Sequence, residues 1–247
     1  MMRVYLIRTV FFIMTILVNV TYAQPIQIVT EQYPPYNYEQ DGEIKGIGTE
    51  VVQAVFKEAG MAANIKVYPW ARAYKNALKR ENVLIYSISR TQQREKFFKW
   101  VGVIVPIDFY IYSLIERTDI HIDQLEGAQQ YSIGTVRSDA LEQLFTGKGF
   151  SKVHKSISNK IVMEMLFAER LDLWPISELA ANHLLLQNNH ALSSVRKVYH
   201  LEGFSSDGLY MAFGLQTSDS VVSTFKDALE SIKRKGIYQD IIDKYVE

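Results

Sequence analysis

The sequence reads as an α/β chain folded into two lobes, each a mostly parallel sheet flanked by helices, the two joined by two hinge crossings. Three observations carry this expectation. Short β-branched or aromatic runs alternate with stretches of helical apolar spacing, the pattern of a sheet with helices on its faces. The alternation is broken by Ile104–Leu114 (IVPIDFYIYSL), an apolar and aromatic segment longer than one strand needs, and its middle, Asp108–Tyr112, is expected to cross from one lobe to the other. The buried-type run Tyr210–Leu215 and the two helical patterns after it have no sheet of their own, so they are expected to return to the first lobe. The expected division is a leader at 1–23, a first lobe at 24–109 with 208–247, and a second lobe at 110–207.

The elements follow in order. Ile26–Thr30 is a β-branched strand leading into the aromatic, turn-rich loop Glu31-Gln32-Tyr33-Pro34-Pro35-Tyr36. After an Asp41-Gly42 turn, Thr49 can cap a helix whose Val51, Val52, Val55 and Phe56 share one face until Gly60 stops it. Asn64–Tyr68 is a second strand, Ala71–Arg80 a helix and Val83–Ser89 a third strand. The second lobe repeats the pattern: strands at Tyr131–Thr135, Lys152–His154, Leu171–Pro175 and Val195–Leu201, helices at Asp139–Phe145, Asn159–Ala168 and Glu178–Leu186. Ser218 or Asp219 then caps a helix with Val221, Val222, Phe225, Leu229 and Ile232 on one face, and Ile237–Tyr245 makes a last helix after Gly236.

The first 23 residues have the three parts of a secretory signal: basic Arg3 and Arg8, an apolar core at Val10–Val18, and small Thr21 and Ala23 before the cleavage point. The apolar core is well short of the roughly 20 residues that span a bilayer. The chain contains no cysteine, which excludes disulfides and lipid attachment at a cysteine. Without Arg3 and Arg8 the 27 basic residues become 25 against 27 acidic ones, a balance that offers no reason to expect nucleic acid or an anionic membrane as partner.

Chemistry concentrates at Ser87-Ile88-Ser89-Arg90-Thr91-Gln92-Gln93-Arg94-Glu95. A strand ending in hydroxyl residues presents Ser87, Ser89 and backbone amides at its carboxyl end, where open α/β sheets bind ligands, and Arg94 adds a planar fork suited to a carboxylate. Three further landmarks occur in order: Ile26–Glu31 with its aromatic-proline loop, Gly46-Ile47-Gly48 ahead of the first helix, and Lys235-Gly236-Ile237-Tyr238. Together they resemble the family 3 extracellular solute-binding proteins, the periplasmic amino-acid-binding components of ABC importers, with the type II periplasmic binding protein fold.

The resemblance implies that Arg94, with Ser87 and Ser89, holds a ligand carboxylate, and that rings from the first two loops, Tyr33 or Tyr36 and Trp70, enclose the ligand. Arg72 is a second arginine that can point into the same cleft; Tyr36 and Tyr38 can equally pack on their own lobe. In the turn Gly134–Asp139, Arg137 strengthens an anion site or forms a closing salt bridge, and Ser138 binds or simply caps a helix. The family's usual acidic anchor for an ammonium falls here on Ser177, with Glu178 beside it, and Glu31 is the other carboxylate able to supply that charge. Trp174 is a lid or core. The implied role is capture of a small polar carboxylate, an amino acid or a relative, by hinge closure in the periplasm, by a monomer delivering to a membrane permease in trans. A ligand sensor read by a membrane receptor is the alternative. An enzyme on the same framework is the weaker rival: the chain has no Gly-x-Ser-x-Gly elbow and no His-Glu-x-x-His motif, and its five histidines suggest no metal site. No cofactor, metal or catalysis is expected. Intact-mass analysis of the exported protein should give a chain that begins at Gln24.

Overall fold

The computed structural model describes residues 25–205 and 207–246; the leader and its cleavage point lie outside them. The first lobe is built on five strands in the order β4-β1-β5-β12-β6: β4 (Ile65–Val67), β1 (Gln27–Thr30), β5 (Val83–Ser89), β12 (Leu209–Gly214) and β6 (Phe98–Val105). All seven positions of β5 are buried, as a strand covered on both faces requires. Side-chain alternation divides them between two cores. Ile28, Leu84 and Tyr86 meet α1 (Ile47–Glu58), α6 (Asp219–Arg234) and α7 (Ile237–Val246), whereas Val29, Val83 and Ile85 meet α2 (Trp70–Lys79).

In the second lobe β7 (Phe109–Leu114) lies between β10 (Trp174–Ser177) and β11 (Val195–His200). The parallel pair β8 (Ile133–Val136) and β9 (Val153–Ser156) joins this sheet through a bridge from Ile133 to Leu173, with the Gly134 amide donating to the Leu173 carbonyl at 3.0 Å. Helices α3 (Ala140–Gly147), α4 (Asn159–Phe167) and α5 (Glu178–Gln187) cover it. Between Tyr38–Gln40 (β2) and Glu43–Lys45 (β3), Asp41 and Gly42 both take positive φ, the geometry of a tight hairpin turn.

The helix-linked strands pair in parallel, as expected. Every antiparallel ladder instead includes β7 or β12, apart from the small β2–β3 hairpin, and each of these two strands enters its sheet directly from a crossing. The crossings are residues 106–108 and 201–208. Asp108–Tyr112 is therefore not the crossover the sequence suggested: from Phe109 onward it is the central strand of the second sheet. The apolar length of the segment comes from two buried strands in succession, β6 and β7, separated by Pro106, which ends the first ladder.

The loop that follows β1 is seated on the start of α1. Pro35 and Tyr36 carbonyls accept from the Ile47 and Gly48 amides at 3.1 and 2.8 Å, so loop backbone satisfies the helix's free N–H groups. Thr49 is accordingly not the cap; it lies inside the first turn, and its hydroxyl meets the Tyr86 hydroxyl at 2.9 Å. Gly46 makes this seat possible. Its φ is +112°, and a Cβ there would lie 2.5 Å from the Pro35 oxygen. Gly46→Ala should cost about 3 kcal/mol in urea unfolding, strain and backbone clash together. Gly60→Ala, with φ +70° but open space around it, should cost only about 1 kcal/mol.

Candidate ligand-binding site

A small cavity of about 40 Å³ lies between the lobes. From the first lobe it receives Glu31, Tyr33, Trp70, Ser87, Ser89 and Arg94; from the second, Val136, Asp139, Asn159 and Ile176 among others. These sit at strand ends and helix starts, where the sheets leave backbone and side-chain polar groups unclaimed. Ser87 has φ +57° and falls at a register shift, Ile88 and Tyr86 pairing with consecutive residues of β12. The bulge re-aims the Ser87 side chain, and its hydroxyl is buried with no hydrogen-bond partner among the described residues.

Arg94 is only 1% exposed. Its Nε donates to Gln143 Oε1 at 2.9 Å, Nη2 to the Ser138 carbonyl at 3.2 Å and Nη1 to the Ser89 carbonyl at 3.4 Å. Of the five N–H groups of a guanidinium, these bonds leave two for another acceptor. The guanidinium lies 5.4 Å from the Trp70 ring centre and 4.9 Å from that of Tyr74, contacts that partly compensate a desolvated cation. Burial pulls its pKa down, opposed by Tyr74, Asp139 and Glu31, and arginine remains a cation.

Two carboxyls share this space. Burial pushes Glu31 up to about 8, with Asp139 adding to the shift and Arg94 opposing it. Asp139 is raised to about 7, again by burial first. It caps α3, accepting from the Glu142 amide at 2.5 Å and the Val136 amide at 3.3 Å. The cluster thus holds one buried guanidinium and two half-buried carboxyls, and desolvation together with their mutual repulsion disfavours ionising both acids.

The two lobes also meet directly. Trp70 Nε1 donates to the Ser138 carbonyl at 2.8 Å. The Tyr33 hydroxyl shares a 2.8 Å hydrogen bond with Ser177 Oγ, and Tyr36 donates to the same oxygen at 3.1 Å. Ser177, where the family's acidic anchor would fall, is thereby committed to two tyrosines.

Several candidates named from sequence are placed elsewhere. Arg72 is exposed, its guanidinium 4.2 Å from the centre of the Tyr68 ring; two residues along a helix turn it some 200° from Trp70. Arg137 is exposed, because Ser138 at φ +64° reverses the backbone and returns Asp139 to the cavity. Ser138 contributes its carbonyl, and the cap of α3 is Asp139. Glu178 pairs with Lys197 at 2.6 Å and lines a different groove with Asp108 and Asn182, since Ser177 ends its strand facing inward and the next residue faces out. Trp174 is fully buried in the core. Glu31, Tyr33, Trp70, Ser87, Ser89 and Arg94 do line the cavity. Sequence reasoning passed over Asp139, Asn159 and Phe204 as cavity residues. The Ser-Asp pair ahead of an apolar helix was the available signal for Asp139; Asn159 and Phe204 carry none.

The family model for bacterial extracellular solute-binding proteins, family 3, matches residues 26–247, and the chain belongs to that family. No curated protein matches. An ancestral arginine-binding protein bound to arginine superposes with a TM-score of 0.78 at 18% identity over 90% of this chain and 98% of its own. A histidine kinase sensor domain similar to periplasmic binding proteins gives 0.77 at 16%, over 90% and 96%. The arginine-, lysine-, histidine-binding protein ArtJ from Geobacillus stearothermophilus gives 0.73 at 18%, over 90% and 95%. These likenesses establish the two-lobed type II fold.

The raised carboxyl pKa values have a consequence for stability. Glu31 and Asp139 bind protons more tightly folded than unfolded, so their contribution is complete below about pH 4 and is lost as pH rises through about 7 and 8. Carboxyls lowered by partners, such as Asp172, act in the opposite sense and only at acid pH. Urea unfolding of the ligand-free protein should show stability falling from pH 5 to pH 8.5, and Glu31→Gln should flatten the upper part of that fall.

Proposed function

We propose that this family member captures a small amino acid or related zwitterion in the periplasm, its carboxylate on the free N–H groups of Arg94 and its cationic group against Glu31 and Asp139. The observation that carries the reading is the buried Arg94 facing two carboxyls inside an interlobe cavity. Such a cluster is short of a cation once a ligand carboxylate enters, and a zwitterion supplies both charges at the required ends. Tyr33 and Trp70 bound the space and bury the ligand's apolar part at small entropic cost.

Capture proceeds by hinge closure: lobes at 24–109 with 208–247 and at 110–207 rotate about residues 106–108 and 201–208. The bonds from Trp70 and Arg94 to the Ser138 carbonyl are those that closure makes. The secretory leader is cleaved after Ala23, the mature protein is a monomer, and its role is binding without catalysis. Delivery to an ABC-type permease is the reading consistent with the arginine-binding proteins it resembles. The likeness to a histidine kinase sensor domain supports the alternative in which the closed form reports to a membrane receptor.

A thermal-shift screen of the mature chain against amino acids, dicarboxylates, amines and small peptides tests the ligand class. α-Amino acids should raise the melting temperature, and Arg94→Ala should weaken their binding at least about a hundredfold, because a desolvated carboxylate loses its charged partner. A response confined to amines or to dicarboxylates would overturn the zwitterion reading.

A further inference from the structure

One wall of the cavity is made by the crossings themselves. Phe109 is the first residue beyond 106–108, Phe204 lies within 201–208, and their rings meet edge to face with centroids 5.1 Å apart at 86°. Both rings line the cavity, and both also line an outer groove with Pro106, Ile107 and Leu201. Phe204 borders yet another groove, beside Gln92, Tyr199 and His200. This aromatic pair is therefore the partition between the ligand space and the hinge-side exterior. Leu209, 1% exposed and paired with Ser89 across β5 and β12, continues the wall. Whatever part of a ligand points away from Arg94 toward the hinge meets hydrocarbon.

We propose that Phe204, backed by Phe109, is a specificity-determining plug that sets how long an apolar side chain the ligand can carry. The proposal rests on the zwitterion reading and adds to it the length limit and the residue that imposes it. The Phe204 ring, packed on Phe109 at the margin of the second lobe's core, fills the space; a smaller side chain joins the cavity to the outer grooves and lets a longer tail pass.

The test is calorimetry on wild type, Phe204→Leu and Phe204→Ala with straight-chain α-amino acids from alanine through norvaline and norleucine to 2-aminooctanoate. In wild type the affinity should drop beyond a definite chain length. Phe204→Ala should raise the preference for the longest over the shortest member by about tenfold or more, with Phe204→Leu between, since a few methylenes of pocket are worth that much discrimination. An unchanged preference in Phe204→Ala, with it and wild type still binding, overturns the plug and leaves the zwitterion reading standing. If no member of the series binds any of the three proteins, the zwitterion reading fails, and a ligand-free readout decides the plug. Acrylamide quenching of the cavity-lining Trp70 should increase in Phe204→Ala, and the increase should vanish when Trp70→Phe is added; equal quenching of wild type and Phe204→Ala overturns the plug by itself.

Discussion

A guanidinium taken out of water must be surrounded by acceptors, rings or carboxylates, and the burial of Arg94 organises the rest of the site. The first lobe supplies the Ser89 carbonyl and the Trp70 and Tyr74 rings; the second supplies the Ser138 carbonyl and Gln143. Neither lobe alone completes the shell. The left-handed turn at Ser138 is needed to aim its carbonyl at both Arg94 and Trp70, and the same turn brings Asp139 back toward the cavity as the cap of α3. The bulge at Ser87 likewise re-aims a hydroxyl that a regular strand would hold on one face of the sheet. Strained backbone at these two positions persists because the packed sheets around it leave no alternative.

The Tyr33–Ser177–Tyr36 hydroxyl cluster is a second seam between the lobes, independent of charge. With a serine at that point the chain has no carboxylate at the end of β10, and the acidic character of the cavity comes from the end of β1 and the start of α3. The two carboxyls therefore lie on different lobes, Glu31 directly after β1 and Asp139 as the cap of α3.

Much of this was legible in the sequence. The strand-helix alternation and the return of β12 with α6 and α7 follow from periodicity, and the cavity positions of Ser87, Ser89 and Arg94 from a motif set within one strand and the turn after it; those of Glu31, Tyr33 and Trp70 were reached only through the family resemblance. The crossing was misplaced by a few residues because two buried strands in tandem read as one apolar run. Arg72, Arg137 and Glu178 were misassigned by a different cause: side-chain direction depends on one or two dihedral angles, the helical phase after Trp70, the positive φ of Ser138 and the strand-to-helix change at Ser177, none of which composition reveals. Phe204 belongs to the cavity through contact with Phe109, nearly a hundred positions away, and such a pairing has no signature in a single chain.

The central claim is that a ligand's cationic group takes the place of protons held by Glu31 and Asp139 beside Arg94. Titration calorimetry at pH 7 in two buffers of different ionisation enthalpy, with the amino acid that gives the largest thermal shift, counts those protons directly. The account predicts release of up to about one proton per ligand bound, diminished in Glu31→Gln. Binding with no proton exchange in wild type would contradict it.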